Sequence, residues 1–165
     1  MLSLLLLAAS SACPTLTPRL HRPTDINDLR IDDFSVVMAV GDSMTAGFQA
    51  ATKADMQEHR GASFSIGGDR GALTLPNLIA SVKQDGPSLV GPSLGVLSRP
   101  QFKATCDKRD ADAVCRLNAA VDGSDLEDLI DLQVGYLNRT LTTADWAANV
   151  SVQEDWKLLT IFSGL

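Results

Sequence analysis

Three short apolar runs along the chain predict buried β-strands. The first, Val36–Val40, is rich in β-branched residues and stops abruptly at a sharp turn over Gly41-Asp42-Ser43. The second, Leu117–Val121, is broken by Asp122-Gly123-Ser124, and the third, Trp156–Phe162, is nearly continuous in apolar residues, as in a strand covered on both faces. The pattern therefore places a polar turn directly after each of the first two strands.

Helical periodicity is clearest after the second run. Ser124 is a helix cap by composition, because acidic residues follow it in what would be the first turn. The apolar residues that recur at helical spacing predict one apolar face through about Asn138; they are Leu126, Leu129, Ile130, Val134 and Leu137. A shorter helix is predicted from Leu75 to Lys83, and residues 44–58 favour a helix or an irregular loop with a helix.

The alternation of strands and helices predicts an α/β fold. In this class a three-layer domain encloses a parallel sheet, and Ser43 would lie at the carboxyl end of a strand. Residues 60–75 are rich in Gly and Ser and are predicted to form a surface loop beside that end. A phosphate-binding loop is the weaker alternative, because the P-loop lysine spacing is absent. Residues 85–100 also predict a loop.

The amino-terminal region divides into two predicted segments ahead of a domain over residues 34–165. Residues 1–13 combine a short apolar run with small residues, as in a secretory signal peptide, and are too short to span a bilayer. An apolar helix of the fold is the alternative, and a lipoprotein site at Cys13 is disfavoured because Ser10 stands where an apolar residue is expected. Residues 14–33 carry three prolines and predict an extended lead-in, whose aspartates are expected to be caps or solvated charges rather than metal ligands.

Composition limits the partners. The chain of 165 residues has the length of one domain, and its 45% hydrophobic and 21% charged content is that of a globular protein. A net charge of −6 without a basic stripe excludes nucleic acid as an expected partner. An acidic chain can still act on lipid if the binding surface is apolar.

Two features agree with secretion. Cys106 and Cys115 predict a local disulfide, worth about 2–3 kcal/mol by loop-entropy arguments, because a metal pair would need further ligands nearby. Asn138-Arg139-Thr140 and Asn149-Val150-Ser151 are glycosylation sequons in regions predicted to be exposed. The expected location is therefore extracellular or at the cell surface.

The turn at Ser43 has the elements that a nucleophilic serine requires. Gly41 lets the backbone bend tightly, and a helix that starts just after Ser43 would direct its free N–H groups at an oxyanion formed there. An ordinary turn, in which Asp42 and Ser43 only bond the backbone, is the alternative that these three residues leave open.

Further blocks of sequence extend this pattern. Gly41–Gly47, together with blocks later in the chain, resembles the GDSL (SGNH) ester hydrolases and in particular their phospholipase B-like branch. The other blocks are Arg60–Asp69, Thr74–Asn77, Leu117–Val121 and Gln153–Phe162. The resemblance covers roughly residues 34–165, in order, and implies a flavodoxin-like α/β/α sandwich.

The resemblance also implies a site and a substrate. Ser43 is the implied nucleophile, the backbone N–H groups of Ser43 and Gly123 are the implied oxyanion donors, and Gly41 and Asp42 complete the block. The implied substrates are acyl esters of phospholipids or lysophospholipids, with the membrane surface as a further candidate partner. No metal or organic cofactor is implied.

The sequence departs from this family in two respects. Its members use a histidine in an Asp-x-x-His block, whereas His21 and His59 stand in no such block, and His59 is expected to be solvated in a loop. The Gly-x-Asn-Asp block, which supplies a further oxyanion donor, is also missing. We therefore expect the amino-terminal part of a longer hydrolase, incomplete at its carboxyl end and nearly inactive alone; the alternative is a non-catalytic, lipid- or protein-binding relative.

Overall fold

The centre of the fold is a parallel pair of strands. A computed structural model describes residues 16–164, except residues 18, 54–55, 84–87, 98–105 and 107–111. Strand β1 (Val36–Gly41) pairs with strand β2 (Lys157–Phe162), with Val36 opposite Lys157 and Gly41 opposite Phe162. The described residues thus form an α/β structure, and the first and third predicted strands are confirmed.

The other flank of β1 is shared by two extended segments. The Val37 N–H donates to the Val90 carbonyl at 2.9 Å, whereas the Ala39 N–H donates to the Leu117 carbonyl at 3.0 Å. The Ala119 N–H returns to the Ala39 carbonyl at 2.9 Å. The predicted strand over 117–121 is therefore parallel to β1 but makes one bridge, between Ala39 and Asn118, because the residues around Val90 occupy the first half of this flank.

Helices connect these extended segments. The α-helices are α1 (Ser43–Ala46), α2 (Leu75–Val82), α3 (Asp112–Cys115), α4 (Leu126–Asp128) and α5 (Gly135–Thr143). A π-helical segment, Leu129–Val134, joins α4 directly to α5. Single 3₁₀ turns occur at Ile26–Asp28, Ile31–Asp33, Arg60–Ala62 and Asp145–Ala147. The predicted helix over 75–83 is confirmed. The described residues of 44–58 form the short α1 followed by irregular backbone, which is the second of the two predicted alternatives.

The helix after Ser124 differs from the prediction in its cap. Asp125 is the N-cap of α4, and its Oδ1 accepts the N–H groups of Glu127 and Asp128, each at 3.1 Å. Ser124 lies one residue earlier, and its hydroxyl donates to the Gly41 carbonyl at 2.9 Å. The predicted cap at Ser124 is therefore wrong because this hydroxyl is used by the neighbouring strand.

The predicted apolar face of the same helix is also wrong in part. Leu126, Ile130 and Val134 are 65%, 72% and 48% exposed. The side chains that face the core are Leu129, Gln133, Tyr136 and Leu137. The i→i+5 bonding of the π-helical segment changes the helical phase in the middle of the predicted stripe, so one regular spacing does not describe the whole helix.

Strand β2 is less buried than its composition predicts. Leu159, Ile161 and Phe162 are all exposed, so the expectation of a fully covered strand is wrong. Within the described part of the chain, β2 pairs with β1 and with no further strand.

The lead-in contains local turns and an internal ion pair, and it contacts the domain beside the start of β2. Its described residues contain two 3₁₀ turns rather than an extended chain throughout. The Trp156 indole N–H donates to the Pro23 carbonyl at 3.1 Å. The Arg30 guanidinium donates to Asp32 at 2.8 Å and lowers the pKa of that carboxyl. The signal-peptide prediction for residues 1–13 lies outside the described residues.

The core surrounds β1 and includes the predicted disulfide. The fully buried apolar side chains include Val36, Val37, Ala39, Val40, Ile66, Ile79 and Leu117. Cys106 and Cys115 form the expected disulfide, with their Cα atoms 6.2 Å apart, and both are buried. Asn138 and Asn149 are exposed, as their sequons require, and their glycosylation stays a prediction. Among the described residues, no helix combines the length and apolar character needed to cross a bilayer.

Candidate active site

Ser43 lies at the junction of the central strand and a helix. Strand β1 ends at Gly41, and α1 begins at Ser43. The Asp42 carboxylate caps this helix, because its Oδ1 accepts the Met44 N–H at 2.9 Å. Ser43 itself is partly exposed. The predicted strand, turn and helix start are confirmed, and they present the serine at the carboxyl end of the sheet.

Gly41 is required at this junction by close approach of the backbone. Its φ is +156°, and a Cβ placed on it would lie 1.9 Å from the Phe162 carbonyl oxygen and 2.4 Å from Thr45 Oγ1. A side chain here would separate β1 from β2 at the point where the turn to Ser43 begins.

The Ser43 turn is bonded to the end of β2. Thr45 Oγ1 donates to the Phe162 carbonyl at 2.9 Å. Asp42 Oδ2 accepts the Gly164 N–H at 2.6 Å, while its Oδ1 serves as the helix cap. The residues that follow β2 are therefore brought against the Ser43 turn, a contact that the sequence did not predict.

The turn that carries Gly123 is bonded to the same strand end. The Val121 N–H and the Ser124 hydroxyl both donate to the Gly41 carbonyl, at 3.1 and 2.9 Å. Gly123 has a φ of +74°, within a turn closed by the Ser124 N–H and the Val121 carbonyl at 3.1 Å. The structure thus brings Gly123 to the neighbourhood of Ser43, and its role as an oxyanion donor stays a prediction.

A buried ion pair between Arg60 and Glu58 is bonded to the segment that precedes the Gly123 turn. Arg60 is 1% exposed, and its Nε donates to Glu58 Oε2 at 2.8 Å. The two Nη groups of Arg60 donate to the carbonyls of Asn118 and Ala120, at 2.8 and 2.9 Å. Arg60 therefore ties the loop after α1 to the segment that leads to Gly123. The sequence marked Arg60 only as the first residue of the Arg60–Asp69 block, which resembles the GDSL hydrolases, and it did not identify the partners of the guanidinium.

The two histidines are placed differently. His21 is exposed in the lead-in. His59 is buried, and its backbone N–H donates to the Gly47 carbonyl at 2.8 Å, so the expectation of a solvated histidine is wrong. The backbone around His59 packs against the end of α1, where a Cβ on Gly47 would lie 2.5 Å from the His59 carbonyl oxygen.

Exposed apolar side chains lie at and near the junction of β1 and β2. Met44, next to the serine, is exposed, and so are Phe64 and Phe162. The two phenylalanine rings pack edge to face with their centroids 5.6 Å apart. This junction of β1 and β2 therefore combines a serine hydroxyl with accessible apolar surface.

Sequence reasoning missed Gln133, which is fully buried and bonds directly to Gly41. A signal was present in the sequence, because a polar residue stands four positions after Leu129 and four before Leu137. At helical spacing those two leucines mark a core-facing stripe, and a glutamine within it must find buried partners.

The amino-acid sequence is similar to those of proteins described as phospholipases. It is 34% identical over 160 residues to the Homo sapiens protein described as "Phospholipase B1, membrane-associated", and 30% identical over 157 residues to the Mus musculus protein of that name. Each match covers 92% of this chain and 10% of the relative, so the chain spans about a tenth of the length of these proteins. No family model and no solved structure matches the chain.

Proposed function

We propose that Ser43 is the nucleophile of a carboxylic ester hydrolase that acts on phospholipids or lysophospholipids. The observation that carries this proposal is the position of Ser43 at the first residue of α1, directly after the turn that ends β1. The similarity to membrane-associated phospholipase B1 proteins supports the substrate class. In this proposal the site belongs to a three-layer α/β/α sandwich of the GDSL (SGNH) type and the protein is secreted.

The proposed reaction proceeds through an acyl-serine. The Ser43 hydroxyl oxygen attacks the ester carbonyl carbon, and the backbone N–H groups of Ser43 and Gly123 stabilise the resulting oxyanion. Its collapse releases the alcohol, and water then hydrolyses the acyl-serine. The hydroxyl proton must pass to a general base, which the family resemblance assigns to a histidine of a block not found within residues 1–165.

The apolar surface beside the turn supports a lipid substrate. Met44, Phe64 and Phe162 leave accessible apolar area next to the serine, and an acyl chain can cover such area more favourably than water. The acidic net charge of −6 favours lipids without excess negative charge.

The test begins with the transcript across the codon for Leu165, which defines the longest product to express. That product is assayed on lysophosphatidylcholine with Ser43→Ala and with a control, Ser88→Ala, at an exposed serine. Loss of the nucleophile should lower kcat by at least roughly a thousandfold, whereas the control should leave it unchanged.

Absence of hydrolysis by the unsubstituted product would overturn the hydrolase proposal. Co-sedimentation with phosphatidylcholine vesicles would then test the non-catalytic, lipid-binding alternative. Hydrolysis that survives Ser43→Ala would show that another residue is the nucleophile.

A further inference from the structure

A buried glutamine, Gln133, hydrogen-bonds both backbone polar groups of Gly41, the residue at which the turn to Ser43 begins. The side-chain Oε1 of Gln133 accepts the Gly41 N–H at 2.7 Å, and its Nε2 donates to the Gly41 carbonyl at 2.8 Å. The side chain is fully buried. One amide therefore satisfies both backbone polar groups of the residue that stands two positions before Ser43.

The same amide reaches the turn that carries Gly123. Its Nε2 also donates to Ser124 Oγ at 3.0 Å, and that hydroxyl donates in turn to the Gly41 carbonyl at 2.9 Å. Gln133 thus joins the two turns that hold the proposed nucleophile and the proposed oxyanion donor. With the Val121 N–H, three donors converge on the Gly41 carbonyl.

The helix exposes apolar side chains where it buries this glutamine. Gln133 belongs to the π-helical segment Leu129–Val134, in which Ile130 and Val134 are largely exposed. Hydrophobic burial alone would select the opposite arrangement. A buried amide is tolerated when its hydrogen bonds are made, and here they are made to Gly41 and Ser124. The π-helical turn is therefore connected to the site by a specific set of bonds.

We propose that Gln133 is a positioning residue for Ser43. By fixing the backbone N–H and carbonyl of Gly41, Gln133 determines the direction of the chain at Asp42 and Ser43, directly after β1. Through Ser124 it also sets the separation between Ser43 and Gly123. The inference rests on the proposed function, because this separation affects reactivity only if Ser43 is the nucleophile.

The diagnostic substitution is Gln133→Glu. The charged carboxylate retains an acceptor for the Gly41 N–H but lacks the two N–H donors of the amide. When it is protonated, the carboxyl regains one donor on a side chain of the same length as glutamine. Burial raises the pKa of such a carboxyl above its usual value. The matched control is Gln153→Glu, the same change at an exposed glutamine.

The readout, on the longest product that the transcript encodes, is labelling of Ser43 by an alkyl fluorophosphonate, in which the serine oxygen bonds to phosphorus and fluoride leaves. The rate per folded molecule is compared with that of the unsubstituted chain at each pH. In Gln133→Glu this rate should stay close to the unsubstituted rate at about pH 5, where the carboxyl is protonated, and fall roughly tenfold to a hundredfold as the pH is raised to about 9.5, where the carboxylate forms despite its raised pKa. The control should match the unsubstituted chain throughout.

A second readout is independent of reactivity. Amide hydrogen exchange at Gly41 should be faster in Gln133→Met, which removes the acceptor of the Gly41 N–H, than in the matched control Gln153→Met. If Gly41 exchange rises while Ser43 labelling stays unchanged, the glutamine is only a core residue and the inference is overturned. Unchanged exchange at Gly41 overturns it as well.

A failure of the proposed function would look different. If the longest product that the transcript encodes is not labelled when all its residues are unsubstituted, the nucleophile assignment falls, and Gly41 exchange then decides alone whether Gln133 fixes the turn. Should Gln133→Glu fail to fold, Ser124→Ala replaces it, since it removes one donor from the Gly41 carbonyl and should slow labelling by a few-fold; equal labelling in that variant would count against the inference.

Discussion

The two flanks of strand β1 are built differently. On one flank, residues 117–124, Arg60 and Gln133 form a buried arrangement in which polar groups are paired with backbone. On the other flank, β2 contributes a parallel ladder whose side chains are largely accessible, including Ile161 at 65% exposure. Both flanks meet at Gly41. Its carbonyl accepts hydrogen bonds from the first flank, and the absence of a Cβ allows the backbone of β2 to approach closely.

The difference shows that the two flanks hold β1 in different ways, one by buried polar contacts and the other by a strand ladder whose side chains are exposed. The polar flank fixes the strand end through directional bonds in a medium of low dielectric constant, where each lost partner is costly. The β2 flank relies on its ladder and on two contacts from the turn, Thr45 to Phe162 and Asp42 to Gly164. Substitutions should therefore have large effects on the polar flank and small effects on the outer face of β2.

The largest effect is expected for Arg60→Met. This change leaves the Glu58 carboxylate without its guanidinium partner and removes the donors to the Asn118 and Ala120 carbonyls. Breaking a buried pair in this way should lower the free energy of unfolding by about 3–5 kcal/mol. Urea unfolding followed by circular dichroism measures the change.

The control for this substitution is Arg70→Met, at an exposed arginine. The double variant Arg60→Met with Glu58→Met should recover part of the loss, because no uncompensated charge remains. An Arg60→Met chain as stable as the control would refute the importance of the polar flank.

A smaller effect is expected for Gly41→Ala at the point where the flanks meet. The added Cβ would collide with the Phe162 carbonyl, and the φ of +156° is unfavourable for alanine. Backbone strain alone should cost about 1–3 kcal/mol, and the collision should add to it. The measurement is again urea unfolding.

Gly71→Ala provides the comparison for Gly41→Ala. Gly71 also has a positive φ, +84°, but a Cβ there would meet no atom within 4 Å. Equal losses in the two variants would show that the approach of β2 to Gly41 is not restrictive.

The smallest effect is expected from a pair of threonine substitutions at partner positions of the ladder. Val40 is buried and lies opposite Ile161, which is mostly exposed. Val40→Thr buries a hydroxyl and should cost about 1–3 kcal/mol, whereas Ile161→Thr should change stability by no more than about 0.5 kcal/mol. A large loss in Ile161→Thr would mean that the outer face of β2 is covered in solution.

The strand and turn at Ser43 could be predicted because the signals there are local. A run of β-branched residues, a glycine and a capping aspartate each act within a few positions, and all three lie in Val36–Ser43. The disulfide between Cys106 and Cys115 is similarly local. The helix at 75–82 agrees with its sequence for the same reason.

The failures come from contacts between distant positions. The burial predicted for β2 assumed that both faces of the strand are covered, and the sequence of a strand does not identify what packs against its faces. Gln133 and Arg60 depend on partners 92 and 58–60 residues away, respectively. The phase of the helix after Ser124 changed within the π-helical segment, which a single helical period does not describe.

The position of β1 in the chain has a consequence for biosynthesis. Apart from the residues around Val90, the backbone partners that the structure describes for β1 come from residues 117–121 and 156–162. A ribosome that adds 5–20 residues per second needs roughly 6–24 s to make the about 120 residues between the end of β1 and the end of β2. During that interval the apolar strand β1 lacks its ladder with β2, so the nascent chain depends on whatever shields Val36–Val40 until β2 is synthesised.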